Sequence, residues 1–500
     1  MPKSAARDTV ELLRLTAEMQ PDREAFVELS RRMTFAEWDR AADGLAATFA
    51  AAGVRKGGTV VLVLPSCIEY AVSYQAAMRL GAVTSGINPR LGPVEKASIL
   101  ERTSPAVVVV GDIADLPGEW RGGGTALRVA DLAATYTDRA PSLPSLDPTD
   151  PVAIVWTSGT TGAPKGAVFG HRNLEAVAIG AGELGAPLDR RFSPVPFSHV
   201  GYMTRPWEEI AKVITSVIPP TPWRADETLL LLERERVTVG QGVPTQWRLV
   251  LDLPQFDDAD LSALRIAGTG AASVPPDLVR EMQRRLGCPV VLGYTSTEAA
   301  ITTGSVPGDP PELICRTVGK ARVNVDLEVV DGDDRAVTAG EVGRVRCRSG
   351  AVMQGYWHDD ERTASVLDAD GWLHTGDLGS LDGDGYLTLA GRQSEMYIRG
   401  GYNVYPVEVE HIIASHPDVA DIAVVSRPDP VLGDIGVAFV VPAANATPTI
   451  ADVRAWSSRS LADYKAPDML VLVDELPLTP MRKVDKLDLA ERARRLERVR

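Results

Sequence analysis

Basic side chains are in short supply: 52 lysines and arginines stand against 67 aspartates and glutamates, a formal net charge of −15 at pH 7. That balance argues against nucleic acid as a partner, because a phosphate backbone is held by a basic surface. A small anion such as ATP stays open, since it needs only local donors. Cysteine is scarce too. The four thiols, Cys67, Cys288, Cys315 and Cys347, are far apart with no C-x-x-C pair. Neither a disulfide framework nor a zinc site is expected, and a reducing cytoplasm fits best. Long apolar runs are missing: none approaches the roughly 18 residues of a membrane span. The start, Met1-Pro-Lys-Ser-Ala-Ala-Arg-Asp8, lacks the apolar segment of a secretion signal. Neither export nor a transmembrane segment is expected, and no fixed-period repeat is visible.

What is there is an ordinary globular composition, 45% hydrophobic and 24% charged. The chain's 500 residues exceed what one core usually serves, so two or more domains are expected. From Thr34 to Val54 apolar residues recur at helical spacing (Phe35, Trp38, Ala41, Leu45, Ala46, Phe49), and the β-branched run Thr59 to Leu64 reads as a buried strand. Glu69 to Leu80 is again helical, while Ala82 to Ile87 and Ala106 to Val110 are strand-like. Alternation of this kind predicts an α/β fold with a parallel sheet and crossover helices. Thr137 to Pro151 reads as a loop, Val323 to Gly385 as a hairpin-rich region with Gly-Asp and Asp-Gly turns, and Val419 to Val425 and Gly436 to Val441 as further strands.

The chain is organised around Val152-Ala-Ile-Val-Trp-Thr-Ser-Gly-Thr-Thr-Gly-Ala-Pro-Lys-Gly-Ala-Val168, an apolar strand entering a loop of glycines and hydroxyl residues with one lysine. Gly159, Gly162 and Gly166 let backbone N–H groups approach an anion, Thr157, Ser158, Thr160 and Thr161 add donors, and Lys165 adds charge. The spacing is not that of the Walker loop, G-x-x-x-x-G-K-[ST]. A polar connection between two strands is the bland alternative.

Thr157-Ser-Gly-Thr-Thr-Gly-Ala-Pro-Lys-Gly166 resembles the signature loop of the adenylate-forming superfamily: acyl-CoA synthetases, adenylation domains of peptide synthetases, and beetle luciferases. The resemblance continues along the chain. Tyr294-Thr-Ser-Thr-Glu298 is similar to the family's Tyr-Gly-x-Thr-Glu, with Thr295 where glycine is common. Gly371-Trp-Leu-His-Thr-Gly-Asp377, Gly391-Arg-Gln-Ser-Glu395 and Pro477-Leu-Thr-Pro-Met-Arg-Lys483 follow in family order. Ser394 stands where the family has Asp or Lys, and Arg482 where it has glycine.

The resemblance implies a large N-terminal domain of mixed and parallel sheets with flanking helices and a small β-rich subdomain (1–392), a hinge (393–396) and a small mobile α+β domain (397–500). By resemblance Lys483 enters the site for adenylation, Thr297 touches phosphate, Tyr294 stacks on adenine, and Asp377 and Arg392 reach the ribose or phosphate. Glu298 has the hard oxygen that magnesium prefers, and the family gives the matching residue that role. His199 is matched to a position beside the acyl pocket and the Mg-ATP site; a lone histidine is otherwise more often structural. The strand ends Val239 to Thr245 and Ile266 to Ala272 lead into small-residue loops, the usual ligand position in open α/β sheets. By resemblance Gly270, Ala271 and Ala272 lie against adenine, and His199, Gly201, Tyr202, Val243, Gly268, Gly270, Gly293 and Thr295 wall the acyl group. Tight helix packing explains the small residues nearly as well. Gly400 and Gly401 would meet the pantetheine arm after the small domain pivots at Ser394.

The activity implied is that of an acyl-CoA synthetase of the AMP-binding family. A hydrophobic carboxylic acid, ATP and coenzyme A are its substrates and magnesium its ion. The implied assembly extends to a homodimer. Two other readings are an adenylating enzyme that serves a carrier protein or a separate ligase, and a non-catalytic nucleotide-binding protein.

Overall fold

The computed structural model describes residues 6–118, 123–136, 142–157, 164–270, 274–479 and 484–496. A seven-stranded sheet runs, edge to edge, Gly355–Tyr356, Lys165–Gly170, Pro151–Thr157, Val83–Ile87, Thr59–Val63, Val107–Val110 and Thr125–Arg128. From Pro151–Thr157 to Thr125–Arg128 the neighbours pair in parallel, whereas the Lys165–Gly170 edge is antiparallel. The run Thr59–Val63 is apolar throughout because both its faces are covered. Val60 and Leu62 enter the largest apolar cluster with Phe35, Trp38, Leu45 and Phe49, while Val61 and Val63 meet Ile99 and Leu100.

The predicted helix over Thr34 to Val54 is Phe35–Ala51, started by a capping box. The Thr34 hydroxyl accepts the Glu37 amide at 3.2 Å and the Glu37 carboxylate accepts the Thr34 amide at 2.8 Å. Glu69 to Leu80 is the helix Ile68–Arg79, buried along its whole length. Arg79 at its end is fully buried and tied to Asp39 and Asp43 of the preceding helix. This helix lies in a core that also takes in Phe26 of a second, nine-stranded sheet. That sheet carries, among others, the parallel neighbours Arg190–Phe192, Val239–Gln241, Ile266–Gly270 and Val290–Tyr294.

The expected hairpin region is a four-stranded antiparallel sheet, Asp326–Val330, Gly343–Arg348, Leu373–Leu381 and Leu387–Arg392. Its turns are built by aspartate. Asp331 Oδ1 accepts the amides of Asp333 and Arg335 at 2.8 and 3.0 Å, and Asp382 Oδ1 those of Asp384 and Tyr386 at 3.0 and 2.9 Å. After Arg392 the chain leaves this sheet, turns through 393–396, and enters a separate five-stranded sheet that includes Tyr397–Arg399, Val419–Asp429 and Gly433–Pro442. Helix Pro406–Ile413 packs there, with Val404, Val409, Ile413, Val424 and Val440 in a core of its own.

Candidate active site

The segment 294–298 leaves the carboxyl end of strand Val290–Tyr294 and is fastened at both ends to other sheets. At its start the Tyr294 hydroxyl donates to Asp377 Oδ2. Asp377 Oδ1 accepts from Arg392 Nε at 2.7 Å, and the two residues are register partners on neighbouring antiparallel strands. The Asp377 amide in turn donates to the Thr375 hydroxyl at 3.1 Å. The Asp377 side chain is only 6% exposed whereas Arg392 is half exposed. Burial pushes the Asp377 carboxyl up against the pull of Arg392, and burial with the Asp377 charge pushes the Tyr294 phenol well up. The group thus pairs a buried anion with an accessible cation.

At the other end Glu298 Oε1 accepts a hydrogen bond from the Tyr356 hydroxyl at 2.8 Å, and the Glu298 carbonyl accepts the Met353 amide at 2.8 Å. Tyr356 lies on the edge strand paired with Lys165–Gly170, and the Lys165 ammonium stands 5.5 Å from its ring centre. Tyr356 therefore ties the glutamate of one sheet to the lysine of the other. Burial, then the Glu298 charge, raises its phenol pKa. Thr297 is half-buried between these anchors, and Thr157 is the register partner of Lys165. Ser158, Gly159, Thr160, Thr161, Gly162, Ala271, Ala272 and Lys483 lie outside the described residues.

Gly270, φ +158°, sits where a Cβ would come within 2.9 Å of the Gly293 carbonyl, its neighbour in register. Close approach of two strands requires the glycine there. At Gly268 a Cβ would lie 3.2 Å from Leu184, so that glycine is filled by packing. His199 caps the short helix Val200–Met203, its Nδ1 accepting the Gly201 amide at 3.1 Å. Tyr202 is buried and stacked on Phe197 with ring centres 3.5 Å apart.

A cavity of about 20 Å³ opens beside these rings, lined by Gly201 and Tyr202 together with Phe197, Arg205, Glu209 and Gln241. His199, Val243, Gly268, Gly270, Gly293 and Thr295 are not in its wall. Thr295 is exposed, its hydroxyl donating to the Ser296 carbonyl at 3.1 Å, and the Val243 amide donates to Gln246 at 3.0 Å. A larger cavity, about 370 Å³, lies among Arg31, Glu69, Cys67 and Thr221 and shares only Ile218 with the first. None of the residues at Asp377 or Glu298 lines it.

Gly400 and Gly401, φ +57° and +89°, form the two-residue turn between Tyr397–Arg399 and Tyr402–Val404, with Arg399 opposite Tyr402. Two positive φ angles in such a hairpin are what Gly-Gly supplies, so the turn itself demands both residues. Ser394 lies in the turn after Arg392, where the amides of Glu395 and Met396 both donate to the Arg392 carbonyl at 3.1 Å. Next to it the Lys486 ammonium bridges Glu395 and Glu410, each at 2.9 Å.

Tyr356 and Lys486 were not expected from the sequence. Tyr356 has no motif around it that marks a ligand residue, and Lys486 reads as one more charge in a basic tail. Adjacent carboxylates at Glu208-Glu209, between Trp207 and Ile210, were a visible signal. Among the described residues no group of three or more His, Cys, Asp or Glu could hold a metal alone. A single glutamate held in place by Tyr356 fits an ion that arrives on phosphates, since magnesium commonly takes one or two carboxylates and keeps its other ligands from substrate and water.

Paired strand ends followed by a second small domain are the fold of adenylate-forming enzymes. A family model described as "AMP-binding enzyme" matches residues 13–357, and "AMP-binding enzyme C-terminal domain" matches residues 408–483. The chain is 33% identical over 498 residues to an indoleacetate–CoA ligase of Aromatoleum aromaticum, covering 95% of this chain and 96% of that protein. It is 35% identical over 507 residues to a methyl-dioxo-octahydro-indenyl-propanoyl:CoA ligase of Mycobacterium tuberculosis, covering 94% and 96%. An anthranilate CoA ligase solved with anthranoyl-AMP matches with a TM-score of 0.88 at 26% identity, covering 97% of each chain. The chain belongs to the AMP-binding enzyme family, as an AMP-forming acyl-CoA synthetase, an acid–thiol ligase. No helix among the described residues is long and apolar enough to cross a membrane.

Proposed function

We propose that the protein activates a hydrophobic, ring-bearing carboxylic acid with ATP and passes the acyl group to coenzyme A. The acids named for its relatives, indoleacetate, an indenyl propanoate and anthranilate, support the ring. The observation that carries the site is the segment 294–298, bound at Tyr294 to Asp377 and at Glu298 to Tyr356. The segment links the Asp377 carboxylate, which would meet the ribose, to the Glu298 carboxylate, which Tyr356 ties to Lys165.

In the first half-reaction a carboxylate oxygen forms a bond to the α-phosphorus, and the bond to the bridging oxygen breaks. Pyrophosphate leaves with the electron pair and no proton moves. Catalysis is then positioning plus neutralisation of charge. Asp377 and Arg392 hold the ribose end, Tyr294, Gly270, Ala271 and Ala272 the adenine. Thr157, Ser158, Gly159, Thr160, Thr161, Gly162, Thr297 and Lys165 hold the phosphates, with Lys483 as the charge brought by the small domain. Magnesium bound with the phosphates would add charge neutralisation, with Glu298 as its protein ligand. His199 orders the turn Val200–Met203 at the acyl side. In the second half-reaction the thiol gives its proton to water, its sulfur bonds to the carbonyl carbon, and the carbon–oxygen bond to the phosphate breaks so that AMP leaves with the electron pair. The segment 397–500 turns about Ser394 to bring Gly400 and Gly401 to the pantetheine arm. The four free thiols support a reducing, cytoplasmic setting.

The test is a panel of straight-chain, aromatic and polycyclic acids with ATP, with and without coenzyme A, reading pyrophosphate and thioester separately. Pyrophosphate from acid plus ATP and thioester only with coenzyme A are expected. Pyrophosphate without thioester would move the acceptor to a carrier protein. Neither product from any acid would remove the activity.

A further inference from the structure

The buried end of the acyl cavity is polar, and its polarity is unbalanced. Helix Pro206–Ala211 places Glu208 and Glu209 side by side in the interior, 0% and 5% exposed. Glu208 is fully served: Arg191 reaches it at 3.0 Å, Arg205 at 2.9 Å and Lys212 at 3.1 Å. Glu209 is not. One of its oxygens accepts the Ser216 hydroxyl at 2.9 Å, and Arg191 stands 3.8 Å from that same oxygen. Its Oε2 has no hydrogen-bond partner among the described residues, and neither has Arg191 Nε, although both residues are 5% exposed. Leaving such atoms unmatched is costly, so their retention in residues that line a cavity points to a partner brought by a ligand.

Both residues line the cavity of about 20 Å³ beside Phe197 and Tyr202, which continues to Gln241, the register partner of Gly268. That volume holds one oxygen-sized group, since about 10–15 Å³ of such space is enough for a single water. The two unmatched atoms are an acceptor and a donor, the complement of a single hydroxyl. The aromatic pair Phe197 and Tyr202 supplies an apolar wall for the body that carries it.

We propose that Glu209 and Arg191 form a distal subsite that reads a hydroxyl on the acid at the end remote from its carboxylate, so that the preferred substrates are hydroxy acids with an apolar body. This rests on the acyl-CoA synthetase reading and narrows its substrate class.

The experiment uses the full chain and matched acids: phenylpropanoate against its para-hydroxy derivative, and octanoate against its terminal hydroxy derivative. Each is measured twice, for binding by calorimetry and for kcat/KM by pyrophosphate release. The hydroxy member should be favoured by about tenfold or more in at least one pair, because a site built to hydrogen-bond a substrate hydroxyl rejects the analogue lacking it. Glu209→Leu should abolish the preference. Glu209→Gln, closer in shape and still able to hydrogen-bond, should keep part of it and guards against misfolding of the leucine variant. Members of both pairs that bind within twofold of each other, or that do not bind at all, would overturn the subsite and leave the space to a buried water. A preference that survives in Glu209→Leu would overturn it as well. Pyrophosphate release without discrimination removes this subsite and keeps the ligase, whereas discrimination in binding without pyrophosphate from any acid keeps the subsite and removes the ligase.

Discussion

Tyr356 donates to Glu298 at 2.8 Å while its ring lies 5.5 Å below the Lys165 ammonium, so one phenol sets the distance between an anion and a cation that belong to different sheets. A carboxylate meant to meet a metal works best when its rotamer is fixed beforehand, and a lysine meant for phosphate works best when it is kept from folding back onto that carboxylate. On the proposed reading of Glu298 as a magnesium ligand and Lys165 as a phosphate contact, Tyr356 would do both from a buried position.

Tyr356→Phe keeps the ring under Lys165 and deletes only the hydroxyl. A hydrogen bond to a charged group contributes about 1.5–3 kcal/mol, or roughly 10–100-fold in rate. Adenylation measured as pyrophosphate release should fall by that factor, with a steeper dependence on magnesium concentration. Tyr356→Leu should fall further because it also removes the face below Lys165. Kinetics of the phenylalanine variant indistinguishable from the parent would leave Tyr356 a packing residue.

Asp377 already accepts from Arg392 on one oxygen and from the Tyr294 hydroxyl on the other, which leaves a second lone pair on each oxygen for a ribose. Asp377→Ala should weaken ATP by about 1–3 kcal/mol in calorimetry, since the ribose hydroxyls then lose their acceptor. Tyr294→Phe should cost much less, because it frees a carboxylate oxygen while keeping the aromatic face. Equal losses in both variants would mean that the phenol, not the carboxylate, holds the nucleotide.

The helices Phe35–Ala51 and Ile68–Arg79 and the strands Thr59–Val63, Val83–Ile87 and Val107–Val110 were legible because burial writes itself as continuous β-branched runs or as helical spacing, whereas helices Thr9–Met19 and Pro93–Thr103 and strands Glu24–Val27 and Arg32–Thr34 were not read. The strand-to-loop elements ending at Thr157 and Tyr294 were legible for the same reason. Contacts that join sheets were not. Tyr356 and Glu298 are 58 residues apart, and no local pattern fixes which tyrosine will meet which glutamate. Glycine was ambiguous in the other direction: Gly270 and Gly400-Gly401 are explained by strand approach and by a hairpin turn, whatever else they serve. Of the eight residues expected to wall the acyl group only Gly201 and Tyr202 line the cavity beside Phe197, and its charged end was hidden because Arg191 and Glu209 come from separate elements.

Glu209 gives the protein a measurable pH response. Burial, only partly offset by Arg191 and the Ser216 hydroxyl and increased by the neighbouring Glu208, pushes its carboxyl from 4.5 up to about 7. Because the folded state binds the proton more tightly than the unfolded chain, the stabilisation is fully present below about 4.5 and is lost as pH rises through about 7. A tenfold difference in proton affinity between the folded and unfolded states corresponds to about 1.4 kcal/mol, so the loss is on the order of 3 kcal/mol. Glu209→Gln is neutral throughout and lacks this contribution. Denaturant unfolding of both forms at pH 5 and pH 8 should therefore show the parent losing stability relative to Glu209→Gln as pH rises. A difference that is constant across that range would place the titration elsewhere.

Lys486 joins the turn after Arg392 to the body of the small domain. Its ammonium bonds Glu395 in that turn and Glu410 in helix Pro406–Ile413, and Glu410 also accepts the Val424 amide at 2.7 Å. Burial works against its charge, but Glu410 and then Glu395 hold the Lys486 pKa above that of a free lysine, while burial raises the Glu410 carboxyl. Lys486→Met would leave Glu410 inside without its cation. Removing one partner of a buried pair costs about 3–5 kcal/mol, and with some solvent reaching both Lys486 and Glu395 the expected loss is roughly 1–3 kcal/mol. The kinetic consequence is the sharper test, since Lys486 opens helix Lys486–Arg495 just after Lys483, the lysine proposed to enter the site. Lys483→Ala removes the charge itself, and should lower pyrophosphate release by about two to three decades. It should spare thioester formation from supplied acyl adenylate. Lys486→Met keeps the charge and loosens its support, so adenylation should fall by about tenfold or more, in the range seen when a reacting group is slightly misplaced, and ionic strength should modulate the loss. If Lys486→Met unfolds at the parental denaturant midpoint and adenylates at the parental rate, the bridge to Glu395 and Glu410 is a surface pairing and the turn at Ser394 is held by its backbone alone.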